Sequence, residues 1–217
     1  MTKIKVCGIT RSVDARLACQ LGASAVGFVF WDRSPRRIDP AAAAAIASEL
    51  PAEVLPVGVF VDAPAEEIRA VVEHVGLRAV QLHGDETEEQ MRQLPSEVAV
   101  IKAVALRSPA DVAAALQLPE ELTVLLDVHD PVRRGGTGRT VEWTLAADVA
   151  RRRRTFLAGG LGPDNVAGAI AAVRPYGVDA SSRLEAAPGV KDPARLRAFL
   201  SAARAAGEAA NGGHEPI

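Results

Sequence analysis

The chain has 217 residues, 48% of them hydrophobic and 24% charged, with a formal net charge of -2, which is the profile of one globular domain. That charge supplies no basic field for nucleic acid, no apolar run reaches the roughly 18 residues a membrane span needs, and two cysteines are too few for a disulfide framework. With an N-terminus that opens on a strand pattern instead of a leader, the expectation is a cytoplasmic chain with neither nucleic-acid nor membrane partners.

In chain order, β-rich apolar runs alternate with Ala- and Leu-rich stretches at helical spacing. The first strand is predicted over 3–7, and Ser12-Val-Asp14 opens a helix after it; the second covers 24–30, with a helix from Asp39-Pro40. The third, 54–61, leads to a helix at Ala63-Pro64 with Glu66 and Glu67 in its first turn, and the fourth covers 78–82. The fifth, 98–103, is followed by Ser108-Pro109 and Asp111, again a helix start. The sixth spans 122–127 and the seventh 154–159, with Pro163-Asp164 opening a helix; the eighth spans 177–180, and Asp192-Pro193 opens the last helix. The run Arg151–Arg154 reads as a helix C-terminus complementing the backbone dipole.

The strands are near-continuously apolar, as parallel strands covered on both faces must be. Eight right-handed βα units of this length close into an α/β single-domain (βα)8 TIM barrel over 1–206, with 207–217 a flexible tail. An open doubly wound sheet is the alternative.

Barrel enzymes keep their sites at the C-terminal ends of the strands. Cys7 ends the first strand and Asp127 the sixth, so a thiol and a carboxyl face the same mouth, as proton transfer on a bound sugar phosphate requires. A free thiol ionises near pH 8.5 and needs positive charge nearby to be a useful base. Lys5 precedes Cys7 by two residues, so both point into the barrel; it either favours the thiolate or pairs with a carboxylate such as Asp127. The bland reading of Cys7 is a small buried filler, as for Cys19. The carboxyl must be protonated before it can donate, and its protonation is expected to be substrate-induced.

Two small-residue segments suggest a phosphate cradle. Ala158-Gly-Gly-Leu-Gly162 ends the seventh strand and Val178-Asp-Ala-Ser-Ser182 the eighth, the positions where barrels hold phosphate on backbone N–H groups and a helix dipole. The alternative is that Gly159 and Gly160 make only a tight turn. Two longer loops, Trp31 to Arg37 and Val128 to Thr140, follow the second and sixth strands, the latter with Gly135-Gly-Thr-Gly138.

The segments Lys5-Val-Cys-Gly-Ile-Thr10, Ser34-Pro-Arg36, Val57-Gly-Val-Phe60, Gln81-Leu-His-Gly84, Leu125-Leu-Asp127, Gly135-Gly-Thr-Gly138, Leu157-Ala-Gly-Gly-Leu161, Ser181-Ser182 with Glu185, and Gly189-Val-Lys-Asp192 resemble, in order and spacing, those of phosphoribosylanthranilate isomerases of tryptophan biosynthesis. The resemblance covers Lys3 to about Leu200. It implies an Amadori rearrangement of N-(5-phosphoribosyl)anthranilate to the 1-deoxyribulose phosphate aminoketone, with no cofactor or metal. It implies further that Cys7 is the general base at the sugar C2 and Asp127 the general acid at the ring oxygen, and that Arg36 contacts the anthranilate carboxylate. Gly159, Gly160, Ser181 and Ser182 match the phosphate site, and Gln81 and His83 line the mouth.

A planar guanidinium suits a carboxylate, and of the adjacent Arg36 and Arg37 only one can readily face the mouth, Arg37 then anchoring the loop. His83 reads as a hydrogen-bonding wall residue, with a proton relay as the lesser alternative. Two stretches depart from the family's usual pattern. Arg183 stands where a glycine is usual, and is expected either to reach the phosphate or to lie in solvent; Val141-Glu-Trp143 replaces the more usual Phe-Asp-Trp. Competing readings are a histidine-pathway or dual-substrate aldosamine isomerase, which would place an aspartate where Cys7 stands, and a catalytically silent phosphate-binding barrel. The expected partner is the small-molecule substrate, with the chain a monomer or homodimer.

Overall fold

A computed structural model of the chain describes residues 1–127 and 138–212. In chain order the elements are β1 (Lys3–Cys7), α1 (Ser12–Gln20), β2 (Ala25–Val29), α2 (Pro40–Ala47), β3 (Leu55–Phe60), α3 (Ala65–Val75), β4 (Ala79–Leu82), α4 (Glu88–Arg92), β5 (Ala99–Ala105) and α5 (Pro109–Gln117). They continue with β6 (Thr123–Asp127), α6 (Gly138–Ala150), β7 (Thr155–Ala158), α7 (Val166–Val173), β8 (Gly177–Ala180), a 3-10 turn (Ser182–Leu184), β9 (Glu185–Ala187), β10 (Val190–Lys191) and α8 (Pro193–Gly212). The strands β1 to β8 form a closed barrel in sequence order, sealed by the parallel pairing of β1 with β8. The expected TIM barrel is therefore present, and the open sheet is not.

Closure fixes two apolar layers by strand parity. One set of residues, Val6, Val26, Phe28, Val80, Leu82, Val124, Leu126, Leu157 and Val178, packs outward against the helices in the main core. The other set faces the barrel interior, where Ala25, Val57, Ala79, Ile101, Leu125 and Phe156 fill the lower part. Each fully buried large apolar side chain contributes about 1.5–3 kcal/mol, so both layers are needed to hold the charged groups above them.

Local signals place most helix starts. Asp39 Oδ1 accepts from the N–H of Ala41 at 2.9 Å and caps α2 behind Pro40. Asp111 Oδ2 accepts from the N–H groups of Arg107 and Ser108 at 2.9 and 2.8 Å and fixes the start of α5. Thr87 and Gln90 form a capping box on α4, a signal the sequence reading did not use.

Several boundaries differ from expectation. Helix α7 starts at Val166, because Pro163 and Asp164 belong to a turn closed by Gly162 N–H donating to Asn165 Oδ1 at 2.8 Å. Helix α6 starts at Gly138, inside the loop expected to reach Thr140; the remainder of that loop, 128–137, lies outside the described residues. Residues 207–212, expected in a flexible tail, continue α8, and a Cβ on Gly207 would stand 2.9 Å from Thr2 Oγ1, so Gly207 lies close against the chain's N-terminal segment. Residues 213–217 lie outside the described residues. The antiparallel β9–β10 hairpin was not foreseen.

The arginine run serves a neighbour more than its own helix. Arg153 donates from Nη1 to the carbonyls of Ala115, Leu116 and Leu118 at 3.2, 3.4 and 2.6 Å, and from Nη2 to those of Pro119 and Leu122 at 2.7 and 3.3 Å. It thereby satisfies carbonyls at the C-terminus of α5 that have no intrahelical partner. Arg154 stacks on Tyr176 with its guanidinium carbon 4.1 Å from the ring centroid. Since hydrogen bonds to a charged donor are worth about 1.5–3 kcal/mol, Arg153→Ala is expected to lower unfolding free energy by roughly 2 kcal/mol in urea titration without changing the folded spectrum.

Candidate active site

The polar groups inside the barrel gather above the apolar plug, at the C-terminal ends of the strands. Lys5 and Asp179 are Cα partners across the β1–β8 seam, and Lys5 Nζ lies 3.1 Å from Asp179 Oδ2, with Lys5 wholly buried. The sequence reading offered Asp127 as an example of a carboxylate partner; the partner is Asp179, because parity aims residue 179 of β8 at residue 5 of β1. Burial alone would lower the proton affinity of the Lys5 ammonium, but Asp179 and the Cys7 sulfur outweigh it and hold it above the ordinary lysine range. Cys7 is buried beside them. Burial pushes its thiol up, Lys5 pulls it down, Asp179 pushes it up again and Lys191 pulls it down, with a net shift upward.

A second cluster joins the loop after β2 to the β9–β10 hairpin. Arg36 donates from Nε and Nη2 to the Glu185 carboxylate at 2.9, 3.1 and 2.7 Å, a fork-to-fork pair. Lys191 Nζ donates to Glu185 Oε1 at 2.9 Å and to the Ser181 carbonyl at 3.2 Å, and its backbone N–H donates to Asp14 Oδ2 at 3.0 Å, tying the hairpin to α1. Burial would raise the Glu185 carboxyl, yet its hydrogen bonds from Arg36 and Lys191 hold it below the usual carboxylate range. Burial is also the main reason that Lys191 sits below the ordinary lysine range. Arg36 thus arrives at the mouth already oriented; the Nη1 side of its guanidinium makes no hydrogen bond among the described residues. Arg37 pairs with Asp32 at 2.7 Å on the surface of the loop, the anchoring part expected of it.

Across the mouth stands a chain of three. Gln81 Nε2 is 2.8 Å from His83 Nδ1, and His83 Nε2 is 3.4 Å from Asp127 Oδ2. A Gln81 amide that donates to Nδ1 fixes the proton of neutral His83 on Nε2, facing the carboxylate. Beside it, Lys102 on β5 pairs with Glu86 at 2.7 Å and donates to the Gly84 carbonyl at 2.5 Å, bracing the loop after β4.

The small-residue segments after β7 and β8 meet as expected. Gly159 and Gly160 have φ of 88° and 64°, left-handed values that favour glycine. Ser182 begins the 3-10 turn, and Ser181 Oγ is buried without a partner among the described residues. Arg183 does not simply lie in solvent, the second of its two expected positions. Its Nη1 donates to the Gly160 carbonyl at 3.2 Å and its Nη2 to Asp164 Oδ1 at 2.7 Å, so it straps the turn after β7 to the turn after β8.

Three buried polar atoms at this end, Gln81 Oε1, Asp179 Oδ1 and Ser181 Oγ, have no hydrogen-bond partner among the described residues. Buried polar atoms are ordinarily paired; a fourth, Thr155 Oγ1, lies at the start of β7, and the other three gather at this mouth. No group of three or more His, Cys, Asp or Glu suited to a metal occurs among the described residues. The reading from sequence placed Cys7, Asp127, Arg36, Gln81, His83, Gly159, Gly160, Ser181 and Ser182 at this mouth, and the fold brings them to the C-terminal ends of β1, β4, β6, β7 and β8 and the loop after β2. It assigned no part to Asp179, Glu185 or Lys191. Strand parity on β8 was a usable signal for Asp179, whereas Glu185 and Lys191 fell in motifs of the family resemblance without any sign of the hairpin that brings them together.

Fold and site define a single-domain barrel enzyme equipped to move protons on a small anionic substrate. The family model for N-(5'-phosphoribosyl)anthranilate (PRA) isomerase matches residues 4–202. The N-(5'-phosphoribosyl)anthranilate isomerase of Rubrobacter xylanophilus is 46% identical over 205 residues, covering 94% of this chain and 100% of that protein. The crystal structure of the Thermotoga maritima phosphoribosyl anthranilate isomerase superposes with a TM-score of 0.87 at 44% identity, over 94% of this chain and 100% of that one. Another, in complex with reduced 1-(o-carboxyphenylamino)-1-deoxyribulose 5-phosphate, does so with 0.85 at 42% identity, over the same shares. The chain belongs to the N-(5'-phosphoribosyl)anthranilate isomerase family, and is an isomerase of tryptophan biosynthesis. These matches do not favour the histidine-pathway or silent-barrel readings.

The depressed Glu185 carboxyl carries a pH signature. Its contribution to stability is fully present above the ordinary carboxylate range, about pH 4.3, and is lost as pH falls through its lower folded value. Glu185→Gln is therefore expected to be less stable than the parent at neutral pH, with the gap closing in acid-unfolding profiles taken below about pH 4.

Proposed function

We propose that Cys7 and Asp127 carry the Amadori rearrangement of N-(5'-phosphoribosyl)anthranilate in this chain as general base and general acid. Asp127 gives its proton to the furanose ring oxygen; the C1–O bond breaks and the anilino nitrogen forms an iminium at C1. The Cys7 thiolate then takes the C2 proton, and the resulting enolamine tautomerises to the aminoketone 1-(2-carboxyphenylamino)-1-deoxyribulose 5-phosphate. Acid and base must approach the reacting carbons from different sides, and the strands β1 and β6 that end in these residues lie on different sides of the barrel. The observation that carries the proposal is that Cys7 sits against a buried cation, Lys5, while Asp127 sits against His83, which Gln81 holds from behind. The two proton-transfer groups thus have separate environments, as an acid and a base working at one pH need.

In this scheme His83 holds the Asp127 carboxyl in position, with Gln81 behind it. Arg36, oriented by Glu185, takes the anthranilate carboxylate on its remaining edge. The N–H groups around Gly159 and Gly160, with Ser181 and Ser182, take the phosphate dianion. No step calls for a cofactor or a metal. Each group named belongs to one chain, so one protomer holds the proposed site, whether the protein is a monomer or a homodimer. Both cysteines are free thiols, which suits the reducing cytoplasm where we place it.

The test is the fall of substrate fluorescence with freshly generated phosphoribosylanthranilate. Cys7→Ala and Asp127→Asn are each expected to lower kcat by about 10² to 10⁴; a loss below about tenfold in either would remove that residue from its role. The strap formed by Arg183 generates a separate expectation. Arg183→Gly and Asp164→Asn should both weaken competitive inhibition by inorganic phosphate a few-fold with kcat unchanged, because either substitution releases the turn after β7. Direct phosphate binding by Arg183 would instead make Asp164→Asn bind phosphate more tightly.

A further inference from the structure

Asp179 has no part in the scheme above, yet it is the carboxylate nearest the buried end of Lys5. The two side chains lie on neighbouring strands in register, 3.1 Å apart, with side-chain exposures of 0% for Lys5 and 8% for Asp179. A buried ammonium is costly unless paired, and this one sits beside a third group, the Cys7 thiol. Room for the trio comes from Gly27, the Cα partner of Cys7 on β2. A Cβ there would stand 2.9 Å from Cys7 Sγ and 3.2 Å from Lys5 Nζ, so any larger residue would displace both atoms. The other face of Asp179 is unquenched, since its Oδ1 has no partner among the described residues.

We propose that Lys5 and Asp179 are a positioning pair that sets the base strength of Cys7: the Lys5 ammonium is the counter-charge of the thiolate, and Asp179 both anchors that ammonium and attenuates it. The inference rests on the reading of Cys7 as the general base. Its chemistry follows from two opposed demands. A thiolate held too firmly by a cation is a poor base, and a thiol with no cation nearby rarely ionises. In the proton transfer itself Sγ gains the C2 proton and loses its charge, while Lys5 keeps its three protons and Asp179 its charge, so the pair ends the step as it began. The surrounding charges are few. Besides Lys5 on β1 and Asp179 on β8, Lys191 on β10 acts on the thiol in the same sense as Lys5, and its own charge is shared with Glu185, which Arg36 also neutralises.

A structural role for the pair and an electrostatic one give different results. In a Cys19→Ser background Cys7 is the remaining thiol of the two in the chain, and its alkylation by iodoacetamide, followed by mass spectrometry from pH 6 to 10, titrates the thiolate. Lys5→Met should move the midpoint upward and slow alkylation at pH 7 about tenfold, the effect of losing a unit charge at close range. Asp179→Asn should move it downward and speed alkylation at pH 7 several-fold. The double variant, which leaves no buried unpaired charge, should fall between them. The limb of the kcat/KM profile that reports Cys7 ionisation should follow the alkylation midpoint in each protein. If Lys5→Met does not fold, Asp179→Asn and the double variant decide by the same opposite ordering. Unmoved midpoints, or shifts of the same sign in all variants, overturn the proposal. Should Cys7→Ala retain turnover, the base reading fails on its own, and the alkylation profiles still judge the pair.

Discussion

Closure of the parallel barrel is the constraint on which everything else rests. Once β1 pairs with β8, no strand of the barrel has an edge, every barrel strand has a neighbour on both sides, and residue parity alone decides what faces the helices and what faces the axis. On β1 this puts Ile4 and Val6 into the outer core and Lys5 and Cys7 onto the axis. A shift of one residue in the register would exchange the two sets and bury Ile4 and Val6 against charged neighbours while pressing Lys5 into an apolar layer. The apolar plug below and the polar ring above are consequences of the same alternation read at different heights.

Charge inside such a barrel is tolerated only in pairs. Lys5 with Asp179, Lys102 with Glu86, and Lys191 with Glu185 are three buried ion pairs at one end of the fold, each far more expensive to break than to keep. They supply little net stability relative to an apolar core, but they fix positions: Glu185 orients Arg36, and Lys102 with Glu86 fixes the loop after β4. The remaining mouth groups, with Gln81, Asp179 and Ser181 each keeping an unpaired atom, are polar without being satisfied. That combination of a rigid paired frame and unsatisfied atoms within it is what a preorganised site requires.

The outer surface is handled differently. Arg153 caps the carbonyls of a neighbouring helix end, Arg183 straps two turns at the cradle, and Arg37 pins its loop to Asp32. In each case the long guanidinium reaches carbonyls or carboxylates that a shorter side chain could not, and the backbone of a loop gains an anchor without a strand or helix to hold it. Arg183 is the instructive case. Its side chain has found partners on a neighbouring loop, so that the turn after β7, whose Gly159 and Gly160 carry left-handed φ values, is braced from the turn after β8.

The barrel, the approximate place of all eight strands and most helix starts were legible in apolar runs, caps and prolines, as were Cys7 and Asp127 at strand ends and the small-residue cradle, while Arg36, Gln81 and His83 were legible only through the family resemblance. Which side chains pair was settled by the folded arrangement. Lys5 meeting Asp179 depends on a seam between the first and last strands of the barrel; Glu185 gathering Arg36 and Lys191 depends on a hairpin whose short strands carry no periodic signal; and the close approach of Gly207 on α8 to Thr2 joins residues from the two ends of the chain. Pairings between residues far apart in the chain are set by strand register and closure, which no local stretch of sequence encodes, and these pairings set the charge around Cys7.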